Sequence, residues 1–439
     1  GNIANVRVVV SWQEQGAQRP AGGGAPDEDG PVKTTLTRHR RRSLHGFTLL
    51  EVMIATAIGL IVLGAGLVAA MQMQRRALFE EQTMLAQVTG RTVKELIAAD
   101  LQRAGSGMGN APIVFSDTRT HPAIQMWTEP DLSMPDLTRP FPEDPAFSLP
   151  PAGHLEEEVS DVLRIHWGDT RGMVTLSPCA GTNVRADTRT FCTVENPSPR
   201  LQPTTAPTTP ALLVNPARNL ACHVEVTNVD AAGRRINVVP GTGIETTTTD
   251  RCGDFASEPN FWNTEPDRES WRIMPAQSAT YRVNWASGTP TLEYLGPGAA
   301  NWVVLSRDVE RLSVRLGVAA IAQPFGGMRW FPDVANGRPN GLDACTITTC
   351  PIEQHPNELV APATDEELRQ RLFQRVREVE VTLVVRTPRQ DREAFDPDQP
   401  IGVDRERFPI DGFKRRTFTF RVMLRNFAAG GLQPLLTEN

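Results

Sequence analysis

Residues 38–74 read RHRRRSLHGFTLLEVMIATAIGLIVLGAGLVAAMQMQ, and this stretch decides how the rest of the chain is placed. A cluster of four arginines precedes an apolar run that extends from Phe47 to Met71. A run of about 25 residues is long enough to cross a bilayer as a helix. Because basic residues favour the cytoplasmic side, the sequence predicts a single span in the inner membrane, with its N-terminal side inside and everything after it outside.

Two residues distinguish this stretch from an ordinary secretory signal. Gly46 stands between the basic cluster and the apolar run, and no A-x-A-like site closes the run. Glu51 lies inside the run, where a carboxylate costs roughly 2.5–3.5 kcal/mol on insertion scales. A charge in such a place indicates a functional residue with a partner. The alternative is a tolerated acid in a simple signal anchor.

Residues 46–52 read GFTLLEV and resemble the class III signal of type IV prepilins. The resemblance implies that a prepilin peptidase cleaves after Gly46 and methylates the new N-terminal residue, Phe47. Glu51 then becomes the fifth residue of the mature chain. In hydrocarbon a lone ammonium and a lone carboxylate are each costly, whereas a pair neutralises both. We therefore expect Glu51 to attract the Phe47 amine of a neighbouring subunit and to set its axial register.

The helix is predicted to continue beyond the membrane. Val93, Ile97, Leu101 and Ala104 recur at steps of three and four residues, and Met84 and Val88 share a face, as in an amphipathic helix. A glycine-rich segment from Gly105 ends it. The predicted organisation is a cytoplasmic leader at 1–46, a membrane-spanning part at 47–71, a periplasmic amphipathic helix at 72–105 and a β-rich head at 106–439.

The head carries the signals of antiparallel strands. Alternating segments predict strands at 162–167, 223–227, 235–239, 279–285, 291–295, 312–316, 379–386 and 416–422, with a short helix at 365–376. Proline-rich segments at 130–151 and 197–210 are predicted to be loops. The fold class is therefore α+β, with a long N-terminal helical spine and a large antiparallel head, as in pilins.

All six cysteines lie beyond residue 170, at Cys179, Cys192, Cys222, Cys252, Cys345 and Cys350. An even number confined to one region favours disulfides formed in an oxidising compartment. Their order along the chain suggests the pairs Cys179–Cys192, Cys222–Cys252 and Cys345–Cys350, although other connectivities are open. Free buried thiols are the alternative. A zinc site is disfavoured because the sequence contains no CxxC pair.

Two further segments narrow the resemblance. Residues 99–105, ADLQRAG, resemble the D-[IL]-R-x-A-G segment of PilW-type minor pilins, with Gln102 where arginine is usual. Residues 381–388 and 422–426, the latter closing in L-R-N, resemble the last strands of the same group. The J-type pseudopilin of type II secretion shares these features and is the alternative. A bulky head is hard to repeat along a thin shaft, so the resemblance implies a minor pilin that primes assembly at the tip of a type IV pilus.

The resemblance also implies the partners: prepilin peptidase, other minor pilins, the major pilin and a large tip adhesin, first in the inner membrane and then in the extracellular pilus. Because the net charge is −6, nucleic acid is not an expected partner. The sequence contains no GxSxG, P-loop or HExxH motif and no metal-ligand spacing among its histidines. We expect no enzyme activity, cofactor or metal. A membrane-anchored periplasmic enzyme or binding protein is the alternative from another class.

Overall fold

The fold was obtained as a computed structural model. It describes residues 47–114, 120–128, 147–150, 160–187, 189–204, 207–217, 219–240, 262, 270–299, 301–319, 327–333, 341–350, 362–391, 402–403 and 408–427. The predicted α+β architecture is confirmed. One long N-terminal apolar helix is followed by a large β-rich region that is mainly antiparallel.

Helix α1 spans Leu49–Arg103 and has 55 residues. The chain divides into two compact units, residues 1–70 and 71–439. In the first unit the apolar side chains of α1 are exposed, with Leu60, Ile61 and Leu63 each 71% accessible. By length and composition, α1 is apolar enough to cross a membrane.

The second unit contains the strands, whose bounds among the described residues are as follows. They are β1 (Ile113–Val114), β2 (Thr120–His121), β3 (Ile124–Trp127), β4 (Val162–Gly168), β5 (Val174–Thr175), β6 (Thr190–Cys192), β7 (Thr209–Asn215), β8 (Leu220–Asp230), β9 (Arg235–Pro240), β10 (Arg272–Asn284), β11 (Thr291–Leu295), β12 (Val303–Ser306), β13 (Val309–Ala319), β14 (Met328–Phe331), β15 (Val376–Arg386) and β16 (Arg415–Met423). A second helix, α2 (Asp365–Gln374), precedes β15.

Two sheets are built from these strands. The larger has the path β12-β11-β10-β7-β8-β1-β2, and β3, β4, β5, β6 and β9 pair beside this path. Its long strand β10 pairs with β11 and β4 along one part and with β7 and β5 along the other. The smaller sheet is antiparallel throughout, in the order β14-β13-β15-β16.

The last turns of α1 provide one wall of the main core of the second unit. Val93, Ile97, Leu101 and Ala104 are buried together with the inward side chains of β4, β10, β13 and β15. Their spacing of three and four residues keeps them on one face of the helix. Met84 and Val88 also share a face of α1, as predicted, but this face is not buried, because the two side chains are 65% and 60% exposed.

All eight predicted strands are present, as β4, β8, β9, β10, β11, β13, β15 and β16, although several are longer than predicted. The strands predicted at 223–227 and 235–239 lie in β8 and β9, which pair antiparallel as a hairpin across the turn that follows Asp230. The loop predicted at 197–210 was wrong at its end, because β7 begins at Thr209 and pairs Pro210 with Glu225. Residues 211–215 of β7 are all buried, and the first four are apolar, so the strand shows a continuous apolar run and no alternation that could have revealed it.

Candidate processing and assembly site

The first residues of α1 form a reciprocal set of hydrogen bonds. Thr48 precedes the helix, and its backbone N–H donates to Glu51 Oε2 at 3.1 Å. In return the Glu51 backbone N–H donates to Thr48 Oγ1 at 3.2 Å. The Thr48 hydroxyl also donates to Glu51 Oε2 at 3.2 Å. This pattern is a capping box, in which Thr and a Glu three residues later satisfy two backbone donors that the helix leaves open.

The capping box lies directly beside the predicted cleavage junction. Phe47 is 86% exposed and immediately precedes Thr48. The Glu51 carboxylate therefore stands at the positive end of the helix dipole, where a negative charge is favourable. Cleavage before Phe47 would add an amine one residue away from the backbone N–H that this carboxylate already accepts from.

The part of α1 that belongs to the first unit of the chain exposes almost only apolar side chains. The one polar side chain near its start beyond Glu51 is Thr56, whose hydroxyl donates to the Met53 carbonyl at 3.0 Å. This bond satisfies the hydroxyl donor of Thr56. An unsatisfied donor at this place would be costly in lipid, because no water is present there to accept from it. Gly59, Gly64 and Gly66 have no atom within 4 Å of the position that a Cβ would take, so neighbouring helices are free to approach them closely.

The structure describes most of the predicted site residues but not all of them. Phe47 and Glu51 lie at the start of α1 as described above, whereas Gly46 lies outside the described residues. Two of the suggested disulfides are present, Cys179–Cys192 and Cys345–Cys350. Cys222 is also disulfide-bonded, but Cys252 lies outside the described residues, so the pairing of these two cysteines stays a prediction.

A second polar cluster ties the end of α1 to the larger sheet. Asp100 is 2% exposed and accepts hydrogen bonds from Tyr281 at 2.7 Å and Tyr294 at 3.2 Å. Arg103 approaches the other carboxylate oxygen at 3.3 Å. Burial, followed by the Asp100 charge, raises the pKa of Tyr294 to about 12 and raises that of Tyr281 further. The cluster therefore fixes α1 against β10 and β11 through one buried carboxylate.

The two segments that carried the subfamily resemblance meet at the end of α1. Gly105 has φ +68°, and a Cβ there would lie 2.1 Å from the Gly109 carbonyl oxygen, so only glycine fits. Asn426 Nδ2 donates to the carbonyls of Ala104 at 2.9 Å and Gln102 at 3.3 Å. These carbonyls are acceptors that a helix end leaves open. The C-terminal L-R-N segment thus caps the helix from a position more than 300 residues along the chain.

No group of three or more His, Cys, Asp or Glu side chains in the described part of the chain is arranged to hold a metal ion. Cys345 and Cys350 close a loop beside α2, where the Ile347 N–H donates to Asp365 at 2.8 Å. That loop is therefore tied to a helix end by its disulfide and by a hydrogen bond.

Comparison with known proteins finds a family motif over the stretch that contains the predicted cleavage junction. The family described as the prokaryotic N-terminal methylation motif matches residues 41–67. No curated protein and no solved structure matches the chain significantly. The chain thus carries a prepilin-type signal ahead of an apolar helix, which supports a type IV pilin-like or pseudopilin protein with a membrane anchor.

Sequence reasoning identified Glu51 but missed the bonds that it makes within its own chain. The signal was present in Thr48-x-x-Glu51, since Thr followed by Glu at the third position beyond it predicts a helix start. The same spacing recurs at Thr364 and Glu367, where the Glu367 N–H donates to Thr364 Oγ1 at 3.2 Å at the start of α2.

Proposed function

We propose that the chain is a minor pilin that primes assembly of a type IV pilus and lies at or near the tip of the filament. The observation that carries the proposal is the methylation motif at residues 41–67, within which begins, at Leu49, a helix that exposes an apolar surface. A precursor of this design sits in the inner membrane and leaves it when α1 packs among other helices.

Maturation follows from the junction. Prepilin peptidase cleaves after Gly46 and methylates Phe47, and removal of 46 residues from 439 leaves 393. The basic leader keeps the junction in the cytoplasm, while the cysteine-bearing β region lies on the oxidising side. Glu51 keeps the helix start formed and presents a carboxylate to the Phe47 amine of the neighbouring subunit. Pairing the two charges offsets the desolvation of each.

The size of the β region supports the minor-pilin role. Residues 71–439 form one compact unit with two sheets, and such a bulky head is difficult to repeat along a thin shaft. A position at the tip meets no such restriction. The partners proposed are prepilin peptidase, other minor pilins, the major pilin and a large tip adhesin. The protein works by assembly and not by catalysis.

A J-type pseudopilin of type II secretion is the second candidate, because the matching motif is common to pilin-like and pseudopilin proteins. Deletion of the gene separates the two. Loss of surface pili with secretion intact supports the minor pilin, and loss of secretion with pili intact supports the pseudopilin.

The mature N-terminus provides the direct test of processing. We expect mass spectrometry of the native protein to find a chain that begins at Phe47 and carries one methyl group. A Gly46→Ala variant, which adds a side chain at the residue before the cleaved bond, should accumulate as the uncleaved precursor. A Gly64→Ala variant should be processed normally. A native chain that keeps its leader, or that begins elsewhere, contradicts the proposal.

A further inference from the structure

One face of the larger sheet carries polar side chains that the proposed assembly does not use. Along β4, Leu163 and Ile165 point into the main core, so Arg164 points to the opposite face. Gln125 on β3 and Thr280 on β10 lie directly across from Arg164 in the strand register. The next residue on this face of β4 is His166, whose Nε2 lies 3.1 Å from Gln125 Oε1.

A second arginine on this face, Arg282, is paired with a carboxylate. Arg282 Nε donates to Glu293 Oε2 at 2.7 Å, and the Arg282 guanidinium lies 3.7 Å from the Trp302 ring and 4.5 Å from the Phe147 ring. Asn284 Nδ2 donates to the other oxygen of Glu293 at 3.0 Å. Both oxygens of this carboxylate are therefore occupied.

Arg164 differs from Arg282 because no carboxylate among the described residues pairs with it. Within the part of the chain that the structure describes, Arg164 Nε is shielded from solvent and has no hydrogen-bond partner, while the side chain as a whole is half-buried. Burial lowers the pKa of Arg164 to about 10, with no carboxylate to oppose the effect. The guanidinium remains protonated at neutral pH, so the face holds a partly desolvated positive charge.

An unpaired guanidinium in such a place destabilises the folded chain. Its planar fork of N–H donors matches the two oxygens of a carboxylate, and bonds between two charged groups are the strongest of this kind. Trp127 and Trp302 pack with Val162, which lies two residues before Arg164 on the same face of β4, and they lower the polarity of this face. That environment strengthens a charge pair once it has formed.

We propose that Arg164 is the anchor of a carboxylate-binding site on this face of the larger sheet. The ligand supplies the counter-charge that the described residues do not provide, and its carboxylate belongs to a small organic acid, an acidic side chain or the C-terminus of a peptide segment. The site is independent of the cleavage junction and of the assembly proposed above.

The full chain in detergent tests this site. Thermal unfolding followed by tryptophan fluorescence should show a higher Tm in sodium acetate than in sodium chloride of equal ionic strength. Arg164→Gln should abolish the acetate-specific rise, and Arg189→Gln, which changes an exposed arginine of the same unit, should preserve it. Arg164→Lys keeps the charge without the fork and should weaken acetate binding by about tenfold.

Three peptides separate the sources of the carboxylate. One carries a glutamate and an amidated end, one carries glutamine and a free C-terminus, and one carries glutamine and an amidated end. Binding of the first peptide alone indicates that the ligand is an acidic side chain, and binding of the second alone indicates a C-terminus. Acetate binding without binding of either peptide indicates a small organic acid.

The unliganded variants provide the opposing outcome. Because Arg164→Gln removes an unpaired charge, its Tm in chloride should equal or exceed that of the unchanged chain. A large fall in Tm would show that Arg164 supports the fold instead of a ligand. An acetate response that persists in Arg164→Gln, or that is absent from the unchanged chain together with all peptide binding, overturns the proposal. If Arg164→Gln does not fold, the Arg164→Lys comparison decides.

Discussion

Glu51 combines two roles that different substitutions can separate. Its carboxylate completes the capping box with Thr48, and in the proposed filament it pairs with the amine of a neighbouring Phe47. Glutamine retains the capping bonds because its amide oxygen also accepts from the Thr48 N–H, but it carries no charge. We expect Glu51→Gln and Glu51→Ala to be cleaved normally and to enter filaments at least about tenfold less than the unchanged chain. Quantitative immunoblotting of sheared pili measures this ratio.

Thr48→Ala supplies the matched control for Glu51. It removes the hydroxyl of the capping box, which costs about 1 kcal/mol of helix stability, and leaves the carboxylate in place. Incorporation of Thr48→Ala should therefore stay close to that of the unchanged chain. Normal incorporation of Glu51→Gln, with a loss in Thr48→Ala, would show that the carboxylate serves the helix start alone.

At the scale of elements, α1 approaches β16 so closely that a glycine is needed between them. A Cβ on Gly90 would lie 2.4 Å from Phe418 Cε2 and 2.7 Å from two further ring atoms. One turn later, Lys94 Nζ lies 5.7 Å from the centre of the Phe420 ring. We expect Gly90→Ala to destabilise the chain by about 1–3 kcal/mol through overpacking, despite the better helix propensity of alanine. Chemical unfolding in detergent measures the change.

A double-mutant cycle gives this contact its control. In a Phe418→Ala background the ring is absent, so Gly90→Ala should become stabilising by about 1 kcal/mol, the helix-propensity difference alone. A Gly90→Ala effect of the same sign and size in both backgrounds would mean that the ring does not set the distance between α1 and β16.

The sequence predicted those elements whose signals are local. The Phe47–Met71 run, the buried stripe from Val93 and the β8–β9 hairpin each follow from a periodicity or a turn within one segment. The exposure of Met84 could not be predicted, because an apolar face gives no information on which of its residues finds a partner. Strand β7 was missed for the opposite reason, since burial on both faces removes the alternation that marks a strand.

At the scale of the whole molecule, the candidate site shows the same difference: features with a local signal can be predicted from the sequence, and contacts between distant segments cannot. The predicted cleavage junction is a short contiguous motif, so the sequence alone points to Phe47 and Glu51, and the matching family motif at residues 41–67 includes both. Contacts between distant segments were not found, because no local pattern records them. Asp100 meets tyrosines 181 and 194 residues away, and Asn426 reaches the Ala104 carbonyl across 322 residues. That no described carboxylate pairs with Arg164 likewise becomes visible only in the folded chain.

The Asp100 cluster makes the stability of the whole molecule depend on pH in the alkaline range. The chain contains only two tyrosines, Tyr281 and Tyr294, and both donate to Asp100. Tyrosine ionises near pH 10 in an unfolded chain, whereas burial and the Asp100 charge raise the pKa of Tyr294 to about 12 and that of Tyr281 further. The unfolded chain therefore loses these protons first, and stability falls as pH rises from about 10 to about 12.

Tyrosinate absorbance should show both residues ionising together with alkaline unfolding, not near pH 10. Asp100→Asn removes the charge but keeps an acceptor, so it should lower the pKa of Tyr294 while burial keeps it above the ordinary value. Ionisation of both tyrosines near pH 10 in the folded chain would contradict the buried cluster.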